Sequence, residues 1–338
     1  MRKISPAVCA MALCALVATP AAARPHAAPV VTVIHDQDGN ADDFIALALV
    51  IKSGRARLAA VTVCPADSYL EPATRTTQLF LDRLGARGVS VAMGHDEGVH
   101  PFPDEWRRSA ASVLDIPALK GAKPTGANPV AGDDAPHHLA RLLSRPGRYT
   151  ILETGPLSNI AAALRLDPRI ARHIERIWIM GGAVRVGGNA QEPGYEQAGY
   201  DATAEWNLFN APRAAAEVLA SGVPITLIPL DATNKVPLTR RFVDQLGARP
   251  GAIAHLSAQA WRTALPAEGQ TYYFWDTLTA AAMLDPSLVT LKTLKVKVIT
   301  EGPSQGRTVE APDGRPIQVA VDADAGRVEA LFLKLLGP

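Results

Sequence analysis

Apolar positions along the chain follow two alternating rhythms. Val30 to Asp36 is a β-branched run with the character of a buried strand, and Asp42 to Lys52 then shows dense helical apolar spacing that stops before Gly54. The pair recurs. Leu58 to Cys64 leads to Thr74 to Leu84, Val89 to Met93 follows, and Tyr149 to Glu153 leads to Ser158 to Leu166. Arg176 to Met180 and Pro224 to Leu230 complete the series. Strands that read as continuous apolar runs between helices predict an α/β fold, a single domain with a mostly parallel central sheet flanked by helices. No Ser/Gly/Pro linker divides the alternation. Leu294 to Thr300, Pro316 to Val321 and a final helix from Ala325 to Leu336 read as an appended layer. Gly94 to Ala135, rich in Pro, Gly and Asp, is the longest stretch read as irregular.

The beginning of the chain belongs to a different pattern. Arg2 and Lys3 precede the apolar run Ala7 to Ala18, followed by Pro20 and Ala21-Ala22-Ala23 before Arg24. A charged start, a short apolar middle and an A-x-A site predict a secretory signal over residues 1–23, cleaved to leave 24–338 as the mature domain. The expected location is exported, periplasmic in a Gram-negative cell or secreted. Of 34 basic and 33 acidic residues, Arg2 and Lys3 leave with the signal, so the mature chain carries 34 − 2 = 32 basic residues and a net charge of −1. A nucleic-acid surface needs a strong basic excess that this chain lacks. Cys9 and Cys14 also leave, and Cys64, at the end of an apolar run, is expected to pack at a strand end.

Chemistry concentrates after the first strand. Asp36-Gln37-Asp38-Gly39-Asn40-Ala41-Asp42-Asp43 places four carboxylates and an amide at the sheet edge where α/β proteins bind ligands. Such a cluster is either a solvated turn or is neutralised by a cation, and its position favours the cation. An EF-hand beginning at Asp36 fails, because Ala41 stands where Gly is needed and Leu47 where a bidentate Glu is needed. The apolar strand ending in Asp-x-Asp-Gly also resembles the start of haloacid-dehalogenase-like phosphatases, in which Asp36 would accept the phosphoryl group beside Asp38. No convincing downstream acidic motif supports it, since Gly132-Asp133-Asp134 follows a Pro/Gly loop.

A third reading is stronger. The run from Val33 to Leu47 resembles the first-strand signature of the nucleoside hydrolases, usually Asp-x-Asp-Pro-Gly-x-Asp-Asp before an apolar helix. Gly39-Asn40 replaces Pro-Gly here, and the resulting Asp-x-Asp-Gly-Asn-x-Asp-Asp-Phe resembles the purine-preferring, inosine-adenosine-guanosine branch. Further matches follow in order: Pro101-Phe102-Pro103 with Glu105-Trp106-Arg107, Thr154-Gly155-Pro156-Leu157-Ser158-Asn159, and Met180-Gly181-Gly182-Ala183 with Gly188-Asn189. Thr203-Ala204-Glu205-Trp206-Asn207, Asp231-Ala232-Thr233-Asn234 and Tyr273-Phe274-Trp275-Asp276-Thr277-Leu278-Thr279-Ala280-Ala281 complete them.

The resemblance implies an open Rossmann-like fold and calcium-dependent hydrolysis of the N-glycosidic bond of purine ribonucleosides such as inosine, adenosine and guanosine. It implies Asp38, Asp43, the backbone carbonyl of Thr154 and Asp276 as calcium ligands. Asp38 would be the general base and Asn189 would assist catalysis. Asp42, Asn189, Glu205, Trp206, Asn207 and Asp276 would bind the sugar side of the substrate, with Asn40 close by. Asn189 as a turn residue and Glu205 as a helix start are the ordinary readings of the same positions. Trp106 and Trp275 would sandwich the base, and Asp67 either touches a substrate edge or belongs to a plain turn. Trp275 occupies the place of the His that the pyrimidine-tolerant branch uses as an acid, so stacking is expected to assist departure. His95, His100, His137 and His138 show no zinc spacing and are expected at solvated loop positions. A homodimer is implied by the purine branch. A non-catalytic periplasmic nucleoside-binding protein is the remaining alternative, and the loop from Ala264 to Gln270 has the composition of a closing segment.

Overall fold

The computed structural model describes residues 30–191, 197–265 and 271–337. Its strands are β1 (Val31–Gln37), β2 (Ala56–Val63), β3 (Ser90–Met93), β4 (Tyr149–Glu153), β5 (Ile174–Met180), β6 (Ile225–Ile228), β7 (Pro237–Leu238), β8 (Tyr272–Tyr273), β9 (Val289–Val298), β10 (Thr308–Glu310) and β11 (Arg315–Ala323). Nine of them form one sheet in the order β10-β9-β11-β6-β5-β4-β1-β2-β3, and β7 pairs with β8 separately. All pairings from β11 to β3 are parallel, while β9 runs antiparallel to β11 and β10.

The helices are α1 (Ala41–Lys52), α2 (Leu70–Arg83), α3 (Asp104–Ala111), α4 (Ala135–Leu143), α5 (Ser158–Leu166), α6 (Trp206–Asn210), α7 (Pro212–Ala220), α8 (Leu230–Thr233), α9 (Arg240–Gly247), α10 (Ala252–Ala264), α11 (Trp275–Leu284) and α12 (Ala325–Leu336). They cover both faces of the sheet. Successive strand residues therefore enter different cores: Val33, Leu152 and Trp178 pack with α1, α10 and α11, whereas Ile34, Ile151 and Ile177 pack with α4, α5 and α7. This two-sided burial is why the strands are apolar throughout. Helix α1 is buried from Ala41 to Val50, so it shows no polar face and lies between the sheet and neighbouring helices.

Chain order reverses at β1 and β4, which lie side by side although 111 residues separate their ends. Such a switch point leaves a crevice beyond the carboxyl ends of the two strands. Asp38 follows β1 and Thr154 follows β4, so both are carried to that crevice.

Three expectations are corrected. The C-terminal strands are not an appended layer: β11 pairs directly with β6 and extends the central sheet, and β9 and β10 continue it. Gly94 to Ala135 is partly ordered as α3 and a following 3₁₀ turn, so Trp106 lies on a helix and not in a polar loop. His138 is buried on α4, with its Nε2 2.8 Å from Ser90 Oγ and its Nδ1 2.9 Å from Asp133 Oδ1. His100 is half-buried and stacks on Phe209 at 4.2 Å, while His95 and His137 are exposed. The signal over 1–23 and most of the 264–270 loop lie outside the described residues.

Candidate active site

The turn from β1 into α1 is built by its own polar groups. Asn40 caps α1 through Oδ1, which accepts from Ala41 N at 2.7 Å, and Asp43 Oδ2 accepts from Gly39 N and Asn40 N, both at 2.9 Å. This reciprocal arrangement satisfies amides that the helix leaves free and places Asp42 and Asp43 in its first turn, at the positive end of the helix dipole. Gly39 is required. Its φ is +91°, and a Cβ there would lie 2.3 Å from the Cβ of Ala73.

Asp43 Oδ1 accepts from the Thr154 hydroxyl at 2.5 Å. That hydroxyl is in turn 2.8 Å from His35 Nε2, so the ring must donate and is protonated at Nε2. His35 is fully buried, and desolvation lowers its pKa to about 3, which keeps the ring neutral. Asp38 Oδ2 accepts from Asp67 N at 3.2 Å, and the Asp38 carboxyl also faces Asp43 at hydrogen-bonding range. Asn40 Nδ2 donates to Asp67 at 2.6 Å and more weakly to Tyr272 Oη at 3.4 Å, while the Tyr272 hydroxyl bonds Asp42.

These carboxyls share one dry place. Burial, then the charges of Asp43 and Asp67, push Asp38 well up, and burial followed by neighbouring carboxylates pushes Asp276 well up. Burial is also the first cause for Asp42, raised to about 8, and for Asp67, raised to about 7. No ion pair among the described residues involves any of them. The group must therefore hold protons or a cation. Hard oxygen donors with uncompensated negative charge fit a divalent ion of the calcium type. Among the described residues no three carboxylate, imidazole or thiol side chains form a closed triad, so backbone and solvent oxygens would complete such a site.

Above the carboxyls opens a cavity of about 860 Å³. It brings together Asp38, Asn40, Asp42, Asp67, Trp106, Thr154, Asn189, Glu205, Trp206, Asn207, Trp275 and Asp276, which the sequence scatters over 239 residues. Asp43 is the exception: it is fully buried and stands behind the wall. Glu205 caps α6 by accepting from Asn207 N and Leu208 N, and it also accepts from Gly182 N at 2.9 Å. Burial raises its pKa to about 6. Asn207 Nδ2 donates to the carbonyl of Thr154 at 3.1 Å, and Asn189 Oδ1 accepts from Trp206 N at 3.1 Å. The last two segments are thereby tied to the β4 loop.

The aromatic wall has two parts. Trp106, 37% exposed at the rim, meets Trp206 edge-on at 5.0 Å, and Trp206 packs on Phe102. Trp275 meets Tyr272 edge-on at 4.4 Å and lies 5.9 Å from Tyr273. Sequence reasoning missed Tyr272 and His35. An aromatic beside the Tyr273-to-Thr277 match was the available signal for the first, whereas His35 sits inside an apolar strand with no local mark. Asp36 is sealed beneath the site, bonded to Thr62 and Asn159, and cannot accept a phosphoryl group from a ligand in the cavity. Cys64 packs at the end of β2 as expected, and burial pushes its thiol well up.

A parallel sheet whose switch-point crevice holds buried carboxylates beside an aromatic wall is a ligand site suited to a group rich in hydroxyls joined to a flat ring. The chain belongs to the inosine-uridine preferring nucleoside hydrolase family, whose model matches residues 33–330. A solved inosine-uridine preferring nucleoside hydrolase from Bacillus anthracis is 37% identical, with a TM-score of 0.84 over 91% of this chain and 99% of that one. A purine-preferring ribonucleoside hydrolase from Gardnerella vaginalis is 26% identical, with a TM-score of 0.75 over 90% of this chain and 98% of that one. A probable uridine nucleosidase from Arabidopsis thaliana is 26% identical over 90% of this chain and 97% of its own length. Hydrolysis of the N-glycosidic bond of ribonucleosides is the activity of the family.

Proposed function

We propose that this chain is a calcium-dependent purine ribonucleoside hydrolase, exported after loss of residues 1–23 and working as a homodimer. The observation that carries the reading is the meeting of Asp38, Asp42, Asp276 and Thr154 on the floor of one cavity whose upper wall holds Trp106, Trp206 and Trp275. Asp38, Asp43, Asp276 and the Thr154 carbonyl would hold the ion. When bound, calcium supplies Lewis-acid polarisation and oxygen coordination for solvent and sugar.

The chain's own groups do the rest. Asp38 takes the proton of the attacking water, and Asp42 accepts hydrogen bonds from the ribose hydroxyls. Asn189, Glu205 and Asn207 orient the sugar, which places the anomeric carbon near Asp38. Asn40 and Asp67 present an amide and a carboxyl to the base edge. Trp106 and Trp275 supply ring surfaces for stacking, which contributes roughly 1–3 kcal/mol per base and favours the larger purine. Similarity to the Gardnerella vaginalis enzyme supports the purine reading, while the Arabidopsis thaliana relative carries uridine in its name.

Ribose release from inosine, adenosine, guanosine and uridine, with and without chelator, tests this. Faster turnover of the purine nucleosides, lost with chelator and restored by calcium, is the expected result. Uridine preferred over inosine would overturn the purine assignment, and full activity after metal removal would overturn the calcium assignment. Amino-terminal sequencing of the exported protein and its mass in solution check the remaining two statements.

A further inference from the structure

The acidic cavity occupies one end of a molecule whose other end is basic. Strands β3, β2, β1, β4 and β5 are neighbours in that order and all run one way, so the connections entering them lie along a single edge, opposite the one that bears the cavity. With strands about 4.8 Å apart, that edge is about 20 Å long. The connections into β2, β3, β4 and β5, residues 53–55, 84–89, 144–148 and 167–173, contribute Arg55, Arg87, Arg145, Arg148, Arg169 and Arg172, all exposed, against one acid, Asp167. Arg148 pairs with Glu175 at 2.6 Å and Arg169 with Asp167 at 2.8 Å. Arg55, Arg87, Arg145 and Arg172 enter no ion pair among the described residues. The near-zero net charge hides this separation, because Asp38, Asp42, Asp43, Asp67 and Asp276 sit at the opposite end.

The basic edge also carries apolar groups. Val30 and Val31, at the entry of β1 in the middle of the stripe, are 60% and 38% exposed, and Leu166, next to the connection into β5, is 49% exposed. Three of the seven exposed large apolar side chains among the described residues therefore share this edge. Beside Leu166 opens a hollow of about 450 Å³ walled by Ala161, Leu164, Pro168, Ala171 and Ala220. Arginines around exposed aliphatic side chains suit the boundary between phospholipid headgroups and acyl chains. Other occupants fit less well. A second copy meeting this edge about a two-fold axis would set arginine against arginine. Single-stranded nucleic acid stacks on aromatic faces, and none of the four connections contains Phe, Tyr or Trp.

We infer that the edge formed by the amino ends of the strands is a docking surface for an anionic lipid bilayer, with phosphate headgroups on Arg55, Arg87, Arg145 and Arg172 and the side chains of Val30, Val31 and Leu166 between them. The crevice beyond the carboxyl ends then faces away from the membrane and stays open to solutes. Flotation of the mature chain, residues 24–338, with vesicles of phosphatidylcholine alone and of phosphatidylcholine mixed with phosphatidylglycerol tests this. Binding to the mixed vesicles should be at least about tenfold stronger than to phosphatidylcholine alone and should be lost at high salt.

Arg55→Gln, Arg145→Gln and Arg172→Gln combined should weaken that binding about 100-fold. The same loss of charge on exposed positions of α9 and β9, Arg240→Gln, Arg241→Gln and Lys292→Gln, should weaken it by less than about threefold. A second measurement needs no variant: the mixed vesicles should slow amide exchange in residues 144–148 and 167–173 of the unmutated protein and leave residues 184–189, beyond the carboxyl end of β5, unchanged. No binding to the mixed vesicles, equal weakening by the two sets of substitutions, or protection that misses both connections overturns the inference. Tighter association with RNA or DNA than with the vesicles overturns it too, as does a dimer in solution that the three substitutions at the edge dissociate.

Discussion

Asp43 gives one oxygen to two backbone amides and the other to Thr154, so its position is fixed by neighbours before any ligand arrives. Asp38 beside it has a single backbone partner and faces the cavity, which is the freedom a proton acceptor needs. Asp38→Asn is expected to lower kcat about 10²- to 10⁴-fold. Above about pH 8 it should also raise the melting temperature of the chelated protein, because an amide at that position stays neutral without holding a proton. A variant that keeps its turnover would remove Asp38 from catalysis. Trp106→Ala should raise KM for inosine about 5- to 150-fold, the range that a lost stacking contact implies, with a smaller change for uridine. Steady-state kinetics on both substrates reads the difference. The carboxylates were legible because eight consecutive residues carry them; His35 and Tyr272 were not, since their roles arise from partners 119 and 230 residues away.

At the scale of elements, the β1 to α1 connection sets the site. Gly39→Ala places a methyl group against Ala73 on α2 at a positive φ, and the expected cost is about 1–3 kcal/mol for the backbone alone. Thermal denaturation should show the loss, and activity should fall with it because Asp38 and Asp43 flank the same turn. Unchanged stability would mean that α2 yields. The strand and helix on either side were read correctly from the apolar rhythm, and α5 and α12 match it residue for residue. Helix α3 escaped because only Ala110 of its eight residues is buried, so it shows no apolar stripe. The pairing of β11 with β6 escaped because a strand's composition does not name its neighbour.

Across the whole molecule, the buried groups give metal-free stability a definite pH dependence. Asp42, Asp67 and Glu205 have folded pKa values of about 8, 7 and 6, above the carboxyl range of an unfolded chain. Their contribution is complete below about pH 4 and is lost as pH rises toward 8, because the unfolded chain releases protons that the folded one keeps. His35 acts oppositely, with a folded pKa of about 3: its contribution is complete above about pH 6.5 and is lost as pH falls toward 3. Between pH 5 and 8 the three carboxyls prevail. The melting temperature of the chelated protein should therefore fall over this interval, and the stabilisation by added calcium should grow, by ~4 °C or more at the upper end. Calorimetry with and without calcium decides, and a flat profile would mean that the carboxyls are not buried together.

The sequence by itself determined the α/β class, the place of most strands and of the helices α1, α2, α5 and α12, and the residue types available for chemistry, because hydrophobic periodicity and adjacent carboxylates are local properties. Only the tertiary structure decided which distant segments meet. The reversal of strand order at β1 and β4 carries Asp38 to Thr154, α6 brings Glu205 and Asn207, and α11 brings Trp275 and Asp276 to the same cavity. Burying those carboxylates together creates the charge that a cation or protons must balance, a property that no single segment possesses.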